Sequence, residues 1–414
     1  MAAPAEVATM FLVLGAAMLV GYVGNLLFRR YRFSDILLLL GVGLLAGPAL
    51  GLLDPGALEP LFSVLAPFGL MLVLFDGGMG LAWHDLRRVG PRAIAATLGT
   101  WTVTAATLAV LSHYVLGFEP RLALLLGTAL AGPGVTTLLP LLPQIGLPRD
   151  QQAFVTIEMT LGSLLNAVTT AAVAAVLVAG STAVGGLGIV GTRFLVGAAV
   201  GLLGGLVWSR LLHHLKSEGH VFAATLGVLL ALYVYTEQVG GGGFLMALTF
   251  GLVVGNAGAL EKEGGLRALR SLDPETRRHS SELIFIFRSL YFVYLGMAVA
   301  EKVTSPRYAL GALALVAAML LVRWLAAAAM RGKGPASEPA MTTLYVTLIP
   351  RGLSTAIVAS VPISMGVPDA EQFLPYVFFV IVAANVVAMG GLWAYERARV
   401  RAPRAEPLPD AVPR

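Results

Sequence analysis

The stretch "IEMTLGSLLNAVTT" (157–170) sets one carboxylate, Glu158, inside an otherwise apolar run. Gly162, Asn166 and Thr170 follow at intervals of four, with Ser163 and Thr169 beside them, so a helix here has one small or polar face. A carboxylate among neutral oxygens holds a cation when ionised and a proton when not, which is the chemistry of exchange. Glu158 is therefore the candidate coupling group. Ser163, Asn166, Thr136 and Thr137 are candidate neutral ligands, together with freed backbone carbonyls. The small residues on this face would serve close helix packing equally well.

A charged side chain inside an apolar run is costly unless it is paired or wet. Arg288 lies about as far into its run as Glu158 does, and both sit roughly 12 Å deep at ~1.5 Å per residue. A structural ion pair between Glu158 and Arg288 is expected, because pairing lets both charges persist in low dielectric. Asp76, in "LFDGGMG" (74–80), and Glu282 are secondary candidates. Along with Asp35 and Glu237 they lie toward the ends of runs, where solvation or a structural pair suffices. Arg351 is suited to capping freed carbonyls or neutralising a helix end, a role preferred slightly to direct contact with the substrate. The histidines show no metal-ligand spacing, and no nucleophile arrangement or nucleotide motif occurs. No enzyme activity, metal, cofactor or nucleic-acid partner is expected.

The elements that must position these residues follow from composition. The chain has 414 residues, 57% of them hydrophobic and 12% charged, and a mean hydropathy of +0.82. A soluble domain carries about twice that charged share. Zero cysteines exclude disulfides and thiolate metal sites. Apolar runs of roughly 20 residues recur, each long enough to cross a bilayer as a helix. The fold class is an all-α polytopic membrane protein of about 13 transmembrane helices. The spans are 7–28, 34–54, 60–83, 92–116, 121–143, 151–180, 186–212, 220–238, 241–256, 280–300, 307–330, 340–362 and 373–395.

Starting from "RRYR" (29–32), every second loop collects 21 of the 28 basic residues. That side is the cytoplasm, which places the N-terminus outside and the C-terminus inside a cell membrane, for a prokaryote the inner one. Residues 1–396 form the membrane domain and 397–414 a short cytoplasmic tail. The connection 257–279 reads as an amphipathic helix on the cytoplasmic surface that links two bundles.

Two spans contain what a membrane helix avoids. The fifth carries "AGPGVTT" (131–137), with Gly132, Pro133 and Gly134, and the twelfth carries "IPRGLST" (349–355), with Pro350, Arg351 and Gly352. Both are expected to unwind there. The two spans are seven apart, an odd number, and so cross in opposite directions. This predicts an inverted repeat, spans 1–6 against spans 8–13, with helices broken at spans 5 and 12 and binding near the midplane.

On four stretches the chain resembles the monovalent cation/proton antiporters, the NhaP-like sodium/proton exchangers. They are "GLMLVLFDGGMGLAWHDLRRVG" (69–90), "LAGPGVTTLLPLLPQIGLPRD" (130–150), "ELIFIFRSLYFVYLGM" (282–297) and "LIPRGLSTAIVASVP" (348–362). The resemblance covers nearly the whole chain. It implies a homodimer in the lipid bilayer that works by alternating access, a core bundle moving against a dimerisation bundle. It also implies that Glu158 and Arg288 match the family's acid and arginine pair. The chain departs from the family at an Asp that follows the Glu, where Ser163 stands in one register and Ala167 in the other. The Thr-Asp-Pro step of the fifth span is also replaced.

The function expected is exchange of Na+ or K+ for H+, with Glu158 standing in for the missing Asp. Two alternatives remain at this point. One is proton-uncoupled passage of a neutral or anionic solute, and the other is a non-transporting sensor or scaffold on the same fold.

Overall fold

The computed structural model describes residues 4–31, 34–49, 55–134, 145, 147–180, 183–214, 220–264, 269–272, 274–330 and 339–401. Within them the long regular elements are all helices, as expected where a backbone in hydrocarbon must satisfy its own polar groups. In chain order they are α1 Pro4–Tyr31, α2 Asp35–Leu44 with a π-helical turn to Ala49, α3 Pro55–Gly80, α4 Trp83–Arg88, α5 Gly90–Tyr114 and α6 Pro120–Leu130. Then follow α7 Arg149–Val178, α8 Ala183–His214, α9 Val221–Gln238, α10 Gly243–Gly264 and α11 Pro274–Val299. The last are α12 Pro306–Ala329, α13 Pro339–Thr347, α14 Leu353–Ser364 and α15 Phe373–Arg401.

Eight described helices are long and apolar enough to cross a membrane, and five shorter apolar helices accompany them at 14–27, 35–47, 64–80, 120–130 and 353–364. Eleven of the expected spans overlap one of these helices; of the fifth, 121–143, residues 135–143 lie outside the described residues, and the twelfth, 340–362, is divided between α13 and α14. The least distinct boundary, at "GGGG" (240–243), is made by Gly240. Its φ of +77° ends α9 in the left-handed region that glycine adopts without penalty. The connection 257–279 differs from expectation. Up to Gly264 it continues α10, from Pro274 it belongs to α11, and Leu269 and Leu272 between them are buried.

The packing is that of an inverted repeat. In the first half α5 packs on α6 and α7, and in the second α12 packs on α13 and α15. Across the halves, α3 crosses α10 and α11 crosses α2. Both crossings bring backbones together through glycine. A Cβ at Gly78 would strike the Leu248 carbonyl and one at Gly251 the Phe75 carbonyl. At the other crossing the matching collisions are Gly43 with Val293 and Gly296 with Leu40. Small residues at a helix crossing are the usual device for close approach in a membrane.

Candidate functional site

The two breaks meet. α6 ends at Leu130 and residues 131–134 leave the helix; α13 ends at Thr347, and the chain is irregular until α14 starts at Leu353. The Gly134 N–H donates to the Pro350 carbonyl at 2.8 Å, joining one break to the other. A Cβ on Gly134 would lie 2.7 Å from the Gly352 nitrogen, so nothing larger fits the crossing.

α7 supplies the side chains that fix the first break. The Asn166 Nδ2 donates to the Gly132 carbonyl (3.0 Å), and its Oδ1 accepts from the Gly132 N–H (2.8 Å) and from Trp101 Nε1 (2.7 Å). Ser163 Oγ donates to the Pro133 carbonyl at 3.0 Å and lies 3.4 Å from Ser354 Oγ. The predicted polar face is therefore real. Here it holds unwound backbone, which in a dry interior needs a partner for each freed group. Thr136 and Thr137 lie outside the described residues.

Arg351 is 1% exposed, lies in the second break and faces the first. Its Nη2 donates to the Leu130 carbonyl at 2.7 Å and lies 3.3 Å from Met319 Sδ. It caps the C-terminus of α6 and itself follows the C-terminus of α13. A helix C-terminus carries about half a negative charge, so the end of α6 offsets part of the guanidinium's charge.

Glu158 is 1% exposed, but its partner is not Arg288. Arg323 of α12 donates to it from Nη1 (3.1 Å) and Nη2 (3.4 Å), and the Tyr345 hydroxyl of α13 donates at 3.1 Å. Arg323 Nε also donates to the Tyr345 carbonyl at 2.9 Å, and its guanidinium lies 4.4 Å from the centre of the Tyr345 ring. Arg288 instead pairs with Asp35 of α2. Equal depth fixes position along the membrane normal and leaves lateral position open. α11 packs on α2, whereas α12 packs on α5, next to α7. A signal for Arg323 was present, since it stands about 10 Å from the end of its run that leads into an expected cytoplasmic loop, matching Glu158 as well as Arg288 did. Tyr345 and the α5 residues Thr97, Thr100, Trp101 and Thr104 were also missed, although "TLGTWTVT" (97–104) spaces polar groups along one helix face.

The secondary candidates lie elsewhere. Asp76 faces Arg277 and Ser280 at the start of α11. No described cation lies within 4 Å of it. Glu282 makes an exposed pair with Arg278 one helical turn away, at 3.1 Å. Glu237, at the end of α9, pairs with Arg193 of α8 at 2.7 Å.

Three cavities bear on access. One of about 320 Å³ is lined by Phe62, Tyr291, Tyr294, Ser360 and Glu371 at the start of α3. Another, of about 330 Å³, is lined by Asp85, Arg149, Gln152 and Thr156 at the other end of α3 and the start of α7. Between them a small cavity of about 10 Å³, room for roughly one water, is bounded by Glu158, Arg323, Arg351 and the α5 threonines.

A family model described as "Sodium/hydrogen exchanger, transmembrane" matches residues 14–392. The chain is 27% identical over 388 residues to the K+/H+ antiporter NhaP of Alkalimonas amylolytica, covering 92% of this chain and 64% of that one. To the probable Na+/H+ antiporter 2 of Methanocaldococcus jannaschii it is 24% identical over 357 residues, 80% of this chain and 79% of that one. The chain thus spans somewhat less than two thirds of the length of the first relative. Among solved structures, the sodium proton antiporter MjNhaP1 of Methanocaldococcus jannaschii at pH 8 superposes with a TM-score of 0.79. That likeness covers 94% of this chain and 98% of the other at 19% identity, and it establishes a shared fold.

Proposed function

Because the chain belongs to the sodium/hydrogen exchanger family of membrane transporters, we propose that it exchanges a monovalent cation, Na+ or K+, for H+ by alternating access. Glu158 is the group on which cation and proton compete. The observation that carries this reading is the buried carboxylate beside the crossing of two broken helices. In the state described, Arg323 and Tyr345 occupy the Glu158 oxygens. A cation or a proton arriving at Glu158 takes the place of Arg323, which keeps a second acceptor in the Tyr345 carbonyl. The cavities at the two ends of α3 are the routes by which each side reaches the centre in turn. Relatives named as K+/H+ and Na+/H+ antiporters support the substrate class.

In this reading the protein is a homodimer in a prokaryotic inner membrane, N-terminus outside. A core bundle containing both breaks moves against a dimerisation bundle, and 257–279 connects the two. The test is cation-driven pH change in vesicles containing the purified protein. Glu158→Gln is expected to abolish it. Unaltered exchange in that variant overturns the assignment and passes the role to Asp76, which no described ion pair occupies.

A further inference from the structure

We propose that α5 forms the neutral-oxygen wall of the cation site. The ion is a small alkali cation, largely dehydrated, seated between Glu158 and the hydroxyls of Thr97, Thr100 and Thr104. The proposal rests on the exchange reading above and deepens it, because Ser163 and Asn166 hold the first break and neither lines the cavity beside Glu158.

The geometry starts from the proton of each hydroxyl. Thr97 Oγ1 donates to the Ala93 carbonyl at 2.6 Å, Thr100 to Ala96 at 2.7 Å and Thr104 to Thr100 at 2.6 Å. A hydroxyl has one proton and two lone pairs. With that proton returned to its own helix, each oxygen offers its neighbours lone pairs only. The spacing of three, four and seven residues puts all three oxygens on one face, and that face lines the small cavity that Glu158 also lines. Trp101, on the same face, has its only donor committed to Asn166. The wall is therefore a row of acceptors beside a carboxylate, which suits a bare cation and not an anion. A cavity of about 10 Å³ excludes a hydrated ion. Arg323 and Arg351 line the same cavity, so the ion enters as Arg323 releases Glu158 and keeps its bond to the Tyr345 carbonyl.

Valine keeps the shape of threonine and removes the oxygen. In vesicles, the double variant Thr97→Val/Thr100→Val is expected to raise the apparent KM for the cation about tenfold or more, with the maximal rate within roughly threefold of wild type. Thr97→Ser/Thr100→Ser restores the oxygens and should restore the KM. Thr107 makes the same bond to its helix, to Val103 at 2.7 Å, and does not line the cavity. Thr107→Val is the control and should leave KM unchanged. An unaltered KM in the double valine variant, or an equal rise in the Thr107 control, overturns the proposal. A wild-type protein without cation-driven pH change overturns the exchange reading instead. Calorimetric titration with Na+, Li+ and K+ then decides the wall by itself: weaker binding in the double variant supports it and equal binding sinks it.

Discussion

The two halves of the molecule share a scaffold and divide the charges. Asn166 Nδ2 donates to the Gly132 carbonyl, and 219 residues further along in both partners, Asn385 Nδ2 donates to the Arg351 carbonyl at 2.7 Å. The same bond thus holds both breaks. At the same offset, however, Glu158 corresponds to Val377, Arg323 to Thr104 and Arg351 to Gly132. The first half contributes the acid and the second half both arginines. Backbone breaks and glycine crossings come in matched copies, while the charged site is assembled once, from unlike contributions. A repeat can supply two positions at equal depth facing one centre, and only divergence between its copies can put opposite charges there.

The largest test of this division is the ion pair. Arg323→Met leaves Glu158 buried without its counter-charge and is expected to cost about 3–5 kcal/mol. Thermal unfolding of the purified protein in detergent would show it, and Glu158→Met/Arg323→Met should recover most of the loss. If the double variant stays as unstable as the single one, the charges are part of the scaffold. Next come the matched asparagines. Asn166→Ala orphans the N–H and C=O of Gly132 and the Trp101 indole, for a loss of about 3 kcal/mol or more. Asn385→Ala orphans one carbonyl and should cost about 1 kcal/mol. Equal losses would mean that both breaks are held with equal strength.

Most of the fold was legible because membrane helices announce themselves by length and hydropathy, and because Gly and Pro in "AGPGVTT" and "IPRGLST" mark where they stop. Arg351 stands in the second of these stretches, and its Nη2 donates to the Leu130 carbonyl at the end of α6. The partner of Glu158 was not legible. Depth is a one-dimensional quantity that sequence carries well, whereas the choice between Arg288 and Arg323 depends on which helices touch laterally. Asn166 shows the other limit. Its spacing from Glu158 revealed a shared face, but its commitment to Gly132 becomes visible only where α6 unwinds beside α7. The α5 threonines passed unnoticed because each bonds its own helix and so resembles ordinary polar residues tolerated in a membrane span.

The sharpest test lies at the glycine crossings, none of which lines the Glu158 cavity. Gly251→Ala would push a methyl group onto the Phe75 carbonyl of α3, and Gly43→Ala would push one onto the Val293 carbonyl of α11. In each case the obstruction is backbone, which cannot rotate away, so helices that now touch must separate. Overpacking of this kind costs about 1–3 kcal/mol. If the halves are equivalent as scaffold, the two variants should lower the unfolding temperature by the same amount. Their double variant should lower it by the sum, since the crossings share no residues. Neither substitution touches the Glu158 cavity, so the apparent KM for the cation should stay at the wild-type value in both. A large loss at one crossing and none at the other would confine the repeat's equivalence to the breaks. A KM shift in either variant would tie these outer crossings to the ion site, against the division drawn here between shared scaffold and unshared charge.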